Sequence, residues 1–166
     1  TLEHIEDCLN KLDQWPTPPP HRDTVELAIW FHDIIYDTQR ADNEESSAAL
    51  ATHYLRGHPM EVHACAIILA TRHKITAGME DEEVMCDIDL SILGAQPKKY
   101  DAYAENIRKE YHWVEEDEYA EARVKVLERF LNRRKLFQTP YAIGRWANQS
   151  IQNIERERES LLPKIS

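Results

Sequence analysis

The segment from Val25 to Ile35 is the feature that most restricts what this chain can fold into. It is apolar nearly all the way round a helix, so we expect it to lie at the centre of the fold. Isoleucine, tryptophan and phenylalanine also suit strands, which makes a buried strand the competing interpretation. The length of the segment favours a helix, because buried strands are usually shorter.

Two polar residues, His32 and Asp33, interrupt this apolar segment. Burying an ionised carboxylate beside an imidazole is costly unless another group compensates for it. A divalent cation would compensate for both, since neutral imidazole and carboxylate are standard metal ligands. The alternative is a buried His–Asp hydrogen bond that only stabilises the core.

Helical spacing of apolar residues continues through most of the chain, which contains only 4 glycines in 166 residues. Proline-rich or polar loops at 15–20, 37–42 and 74–82 are too short to be domain linkers. We therefore predict a single all-α domain. The predicted helices cover residues 1–14, 25–35, 43–55, 61–72, 87–93, 98–113, 117–136 and 141–162.

The formal net charge of −10 makes long nucleic acid a poor partner, because a broad acidic surface repels a phosphate backbone. A small phosphorylated substrate is still compatible with this charge if a metal ion and a few arginines create a local positive region. The 3 cysteines form no CxxC pair, which predicts a reducing compartment and a cytoplasmic protein. No apolar stretch has the length of a membrane span, so we expect no membrane association.

Several other residues are candidates for a site. Asp87 and Asp89 stand at the start of a predicted short helix, where capping is the simplest role for one and the other could face inward. Arg72 and His73 end an apolar helix, where they could either serve a site or complement the helix dipole. His4 lies at the edge of an apolar stripe and, taken alone, is typical of a surface histidine.

Glu44 begins a predicted helix and could be a catalytic base, although a simple first-turn acid is the favoured interpretation. The chain has no Walker A loop and no GxGxxG, HExxH or GxSxG motif. Of the chemistries that a sequence motif can indicate, metal-assisted hydrolysis therefore fits best.

Ordered sequence blocks extend over nearly the whole chain. They are Thr1-Leu2-Glu3-His4-Ile5, Phe31-His32-Asp33-Ile34-Ile35-Tyr36-Asp37, Asp42-Asn43-Glu44-Glu45-Ser46-Ser47-Ala48, Thr71-Arg72-His73, Asp87-Ile88-Asp89-Leu90-Ser91-Ile92-Leu93-Gly94, Tyr100-Asp101-Ala102-Tyr103, Ile107-Arg108-Lys109-Glu110-Tyr111 and Asn153-Ile154-Glu155-Arg156-Glu157. Together they resemble the HD-domain superfamily, in its branch of predicted metal-dependent phosphohydrolases. The first metal-ligand histidine of that family would fall immediately before Thr1, so we expect residues upstream of this chain.

The resemblance implies an HD-type helical bundle that holds a divalent cation through the upstream histidine, His32, Asp33 and either Asp87 or Asp89. His4 is a further candidate ligand. Manganese, iron and zinc suit such a mixed nitrogen and oxygen ligand set better than magnesium.

The resemblance also implies roles in hydrolysis of a small phosphomonoester or nucleotide. The metal would activate a water molecule, with Asp33 or Glu44 as the base. The residues implied in contacting or stabilising the substrate are Tyr36, Asn43, Arg72, His73 and Arg108. One family arginine is replaced by Ile151, which removes a phosphate contact. The alternatives are a non-catalytic metal or nucleotide sensor and a purely structural bundle.

Overall fold

The computed structural model describes residues 2–73 and 78–165 of the chain. No strand occurs in these two ranges, so the all-α prediction is confirmed for the described part of the chain. None of its helices is long and apolar enough to cross a membrane. The helices are α1 (Leu2–Asp13), α2 (Arg22–Phe31), α3 (Asn43–Tyr54), α4 (Glu61–Ala70), α5 (Glu80–Leu90), α6 (Pro97–Glu110), α7 (Glu116–Leu131) and α8 (Pro140–Leu161), with short 3-10 helices at Ser91–Gly94 and Leu162–Lys164.

The chain forms two compact units, Thr1–Asp89 and Leu90–Ser166. In the first unit, α2 contacts α1, α3 and α4, as expected for the most apolar segment of the chain. Val25, Ala28 and Ile29 of α2 are fully buried. Helix α2 is therefore the central element of this unit and positions whatever follows its last turn.

Helix α2 ends at Phe31, which corrects the predicted helix over 25–35. His32 and Asp33 consequently lie in the turn after the helix, not within it. The amide of Ile35 donates to Ser47 Oγ at 3.1 Å, and the Ser47 hydroxyl donates back to the Ile35 carbonyl at 3.3 Å. These bonds replace the helical pairing of Ile35, so the chain can leave the helix direction without losing backbone hydrogen bonds.

Helix α5 begins at Glu80, well before the predicted helix over 87–93. Part of the predicted loop over 74–82, residues 74–77, lies outside the described residues. The first turn of α5 contains four acidic residues, a composition that suits the positive end of a helix. As a result Asp87 and Asp89 lie in the second half of the helix, and neither can cap its start.

The second unit is built on α8, which contacts α6, α7 and both 3-10 helices. The carboxamide of the buried Asn153 donates to the carbonyls of Leu93 and Ala95 at 2.9 and 2.8 Å. A buried ion pair joins α7 to α8, with Arg123 Nε donating to Glu157 Oε1 at 2.8 Å and Nη2 to Oε2 at 3.1 Å. In this unit, Asn153 thus binds the carbonyls around the end of the first 3-10 helix, and the Arg123–Glu157 pair connects α7 with α8.

Candidate metal centre

Four side chains of the first unit converge, and we call them the first cluster: His4, His32, Asp33 and Asp89. His4 Nε2 lies 3.2 Å from His32 Nε2 and 3.1 Å from Asp89 Oδ1. His32 Nε2 lies 3.6 Å from Asp89 Oδ1 and 3.5 Å from Asp33 Oδ2. His4 Nε2 is 3.9 Å from Asp33 Oδ2. Helix α1, the turn after α2 and the last turn of α5 supply these residues.

These separations match those of donors that share one ion. Ligands held about 2.0–2.2 Å from a single ion lie roughly 3–3.6 Å apart in tetrahedral or octahedral arrangements. The ligand atoms of His4, His32 and Asp89 all lie within 4.8 Å of one another. The first cluster could therefore hold one divalent cation after small side-chain adjustments.

The buried His32 is oriented by its own backbone. Its Nδ1 lies 2.9 Å from the carbonyl of Ile29, one turn earlier in α2. Because a carbonyl can only accept, Nδ1 carries the hydrogen, and in the neutral ring Nε2 then holds the lone pair. A histidine fixed in this way presents the lone pair of Nε2 to a metal ion. Metal-binding histidines usually donate a hydrogen bond from their other ring nitrogen in the same manner.

The structure separates the two candidate aspartates. Asp89 joins the first cluster, whereas Asp87 is fully buried and is not among the described residues that could share an ion there. On a helix, residues two apart point in directions about 200° apart, so only one of the pair can face the cluster. Burial opposes ionisation of Asp89, but hydrogen bonds from His32, His4 and His73 outweigh it and lower its pKa well below the usual range.

His73 supports Asp89 from the other side. Its Nε2 lies 2.8 Å from Asp89 Oδ2. The backbone of His73 has a positive φ of 53°, just after the end of α4. Left-handed backbone is uncommon outside glycine, although histidine is among the residues that adopt it more often. This conformation follows the end of α4 at Ala70 and places the imidazole beside the carboxylate.

Cys8 lies next to the first cluster without the properties of a ligand. Its Sγ is 3.7 Å from His4 Nε2, one helical turn along α1. Burial raises the pKa of the Cys8 thiol far above its ordinary value, with nearby Asp89 adding to the effect. In the metal-free protein Cys8 is therefore a neutral thiol that packs against the cluster.

The predicted phosphate-binding arginines are engaged elsewhere. Arg72 pairs with Glu45, at 2.6 Å between Nη1 and Oε1. Arg108 belongs to the second unit, where it donates to the carbonyls of Tyr111 and Val114 at 2.6 and 3.0 Å. Neither guanidinium forms one of the contacts that define the first cluster.

The remaining predicted residues lie in or near the loop after α2. The side chain of Asn43 accepts from the amide of Asp37 and donates to its carbonyl, at 3.1 and 2.9 Å. Asn43 therefore shapes this loop. Tyr36 is half exposed, and Glu44 lies at the start of α3 with partial exposure. None of the three belongs to the group of side chains that could share an ion.

His4 is the residue that sequence reasoning underrated, since it lies at the cluster and not on an open surface. One signal was available: His4 is four residues before Cys8, so both share the buried face of α1. With His4 in contact with His32 and Asp89, the described part of the first cluster contains two imidazoles and two carboxylates.

The cluster predicts a pH-dependent stability of the metal-free protein. Burial opposes protonation of His32. The hydrogen bond and the negative charge of Asp89 outweigh this effect of burial and raise the pKa of His32 from 6.5 to about 9. A histidine whose pKa is higher in the folded protein than in the unfolded chain stabilises the fold when it is protonated. The contribution of His32 is therefore complete below pH 6.5 and is lost as the pH rises through 9. In EDTA, we expect the free energy of unfolding to fall by about 3 kcal/mol between these limits.

Urea titrations at several pH values would measure this dependence. His32→Gln should remove most of it, whereas His53→Gln should retain it because His53 is an exposed histidine of α3. Equal pH profiles for the wild type and His32→Gln would contradict the assignment to His32.

Searches against protein-family models, curated proteins and solved structures return no match for this chain. The likeness to the HD-domain superfamily therefore stays a resemblance between sequence blocks. What this protein does has to be argued from the geometry of the first cluster itself.

Proposed function

We propose that this protein is a metal-dependent phosphohydrolase that acts on a small phosphomonoester or nucleotide. The observation that carries the proposal is the convergence of two imidazole nitrogens and two carboxylates, with separations of 3.1 to 3.9 Å. Hydrogen bonds between the imidazoles and Asp89 can hold this group without an ion, and a divalent cation would in addition offset the charges of the two carboxylates that lie beside these imidazoles. The position of these residues also agrees with the HD-type resemblance.

The residues present fit a divalent ion of the manganese, iron or zinc kind, because the donor set mixes nitrogen and oxygen. His4, His32 and Asp89 would hold it, with Asp33 beside them. A bound ion at such a site supplies Lewis acidity toward a phosphoryl oxygen and makes water acidic enough to attack at neutral pH.

Asp33 is the best candidate for the base. Its side chain is 32% exposed, against 2% for His32, so solvent and substrate can reach its carboxylate. A carboxylate in this position can accept the proton of the attacking water and orient that water. His73 is a positioning residue, since its contact with Asp89 fixes the direction of that carboxylate. Among residues 2–73 and 78–165, no contact of Glu44 supports the alternative role as base.

On the phosphate side of the proposal, the candidate cation is Arg72, the sequence neighbour of His73, which contacts Asp89. Glu45 Oε2 and Arg72 Nε are buried without a hydrogen-bond partner in the described part of the chain, although the two side chains form an ion pair. A phosphate oxygen could satisfy Arg72 Nε and form the charge-assisted bond that guanidinium groups favour. A contact between one phosphate and Arg72 suits a small substrate better than an extended nucleic acid, which would need several cationic side chains.

A second candidate function, a non-catalytic metal or nucleotide sensor, is favoured by the same arginines. Arg108 donates both of its terminal nitrogens to local carbonyls, and Arg72 is neutralised by Glu45. Transition-state charge would then have less stabilisation than hydrolysis needs. A sensor would bind the ion and show no turnover.

Metal removal and replacement tests the proposal. We expect phosphate release from a panel of nucleoside monophosphates, sugar phosphates and p-nitrophenyl phosphate to disappear in EDTA. Adding manganese, iron(II) or zinc should restore it, and magnesium should restore less. Binding of an ion that Asp89→Asn loses, without phosphate release from any substrate, would support the sensor, and failure to bind any ion that depends on Asp89 would refute both candidates.

A further inference from the structure

A second group of metal-type side chains lies in the first unit, and we call it the second cluster: His21, His63 and Asp81. Nδ1 of His21 lies 2.8 Å from Asp81 Oδ2, and Nε2 of His63 lies 3.3 Å from the same oxygen. The two imidazole rings meet edge to face with centroids 4.8 Å apart. The ligand atoms of all three residues lie within 4.8 Å of one another.

We propose that the second cluster binds a first-row divalent transition ion, with zinc as the probe ion. Two imidazoles and one carboxylate are a common three-ligand set for zinc, with the remaining coordination positions left to water. His21 is 62% exposed at the side chain, which leaves room for that water. The proposal does not rest on the phosphohydrolase activity.

Hydrogen bonding alone does not account for His63. The buried Asp81 accepts from the backbone N–H of His21 at 3.0 Å and pairs with its ring. Nε2 of His63, however, is buried without a hydrogen-bond partner in the part of the chain that the structure describes, although Asp81 Oδ2 is close. His63 Nε2 and Asp81 Oδ2 lie within ion-pair distance but lack the geometry of a hydrogen bond, and an ion bound by both would account for this arrangement.

The electrostatics of the surrounding helix ends do not exclude a cation. His21 precedes α2, and His63 and Asp81 lie in the first turns of α4 and α5, where helix dipoles place partial positive charge. Acidic residues in the same turns offset that charge, namely Glu61 of α4 and Glu80, Glu82 and Glu83 of α5. Asp81 itself is 4% exposed, so its attraction for a cation is little screened by water.

The second cluster is separate from the first. Asp81 and Asp89 occupy opposite ends of α5, which the helical rise separates by about 12 Å. His21 and His32 flank α2 and are separated in the same way by about 16 Å. Two ions that share one catalytic centre lie only about 3.5–4 Å apart. An ion at the second cluster would therefore hold the starts of three helices together and would not take part in chemistry at the first.

Zinc content of the full chain tests the proposal. After equilibrium dialysis against buffered zinc, mass spectrometry should find two zinc ions per chain in the wild type. His63→Gln and Asp89→Asn should each retain one, the double variant none, and His53→Gln both. Far-UV circular dichroism would check folding, and the exposed His21→Gln serves as a second variant that should also retain one ion.

The outcomes distinguish this site from the proposed function. A zinc content unchanged by both His63→Gln and His21→Gln overturns the second cluster, whatever happens at the first. A single zinc ion lost in Asp89→Asn but kept in His63→Gln also overturns it and leaves the phosphohydrolase proposal standing. A single zinc ion lost in His63→Gln and kept in Asp89→Asn supports the second cluster and removes the metal from the first.

Discussion

Replacing Asp33 with alanine is expected to lower metal-dependent phosphate release by about 100- to 10,000-fold, the range over which a positioned base contributes. Asp33 lies in the turn after α2 with its carboxylate partly exposed beside His32. It contributes nothing to the apolar core, so the helical circular dichroism signal should stay unchanged. Initial rates on the best substrate of the panel, measured with saturating metal, would give the size of the loss.

Asp23→Ala is the matched control, because Asp23 is an exposed carboxylate in the first turn of the same helix. It should keep the full rate. If Asp33→Ala also keeps the full rate, Asp33 is not the base. A variant that loses stability while the wild type is indifferent to metal would instead favour a purely structural His–Asp pair.

The second large effect is expected in the second unit, where Arg123→Met should lower the free energy of unfolding by about 3–5 kcal/mol. Arg123 is buried, the Glu157 side chain is 9% exposed, and the two form two parallel hydrogen bonds between α7 and α8. The hydroxyl of the buried Tyr100 on α6 also donates to Glu157. Removing the guanidinium would leave an ionised carboxylate buried with one neutral donor, and this accounts for the cost.

A double variant separates the charge effect from lost packing. Arg123→Met combined with Glu157→Met removes both charges, so most of the lost stability should return. Urea denaturation of the wild type, both single variants and the double variant gives the coupling energy. A loss below about 1 kcal/mol for Arg123→Met would mean that solvent screens the pair as it does at a surface.

Much of the first cluster could be predicted because polar residues on apolar segments are informative. In the sequence His32 and Asp33 interrupt the most apolar segment, whereas Asp89 is one of two alternative ligands that the HD-type resemblance implies, and it lies near His32. The choice between Asp87 and Asp89 required the true start of α5. Sequence reasoning placed that start at Asp87, because the acidic run from Glu80 resembles a solvated loop as much as a helix start.

The contacts that could not be predicted join residues far apart in the chain. His4 and Asp89 are separated by 85 positions, and His21 and Asp81 by 60. Helical periodicity gives the face of each residue but not which helices meet. His63 did carry a local signal, since it interrupts the apolar α4 as His32 follows the apolar α2.

Some residues of the family-like blocks support the fold of the second unit. Tyr100, Asn153 and Glu157 bind other groups within that unit, through the Arg123 pair or the carbonyls near Leu93. A sequence block shows only that certain residues occur in a fixed order. The same hydrogen-bond donors and acceptors can stabilise a protein core or bind a ligand. Their burial and partners are what distinguish the two uses.

Two of the His–Asp contacts link the ends of α2 to α5: His21, just before α2, contacts Asp81 at the start of α5, and His32, just after α2, contacts Asp89 at its end. The helices therefore run in the same direction, and an axial slide by one turn, about 5.4 Å, would break both contacts at once. Any ligand that tightens the contact at one end would restrict sliding at the other. If ions bind at both ends and each restricts this slide, the two binding events are thermodynamically linked, and each ion changes the affinity for the other by the same factor.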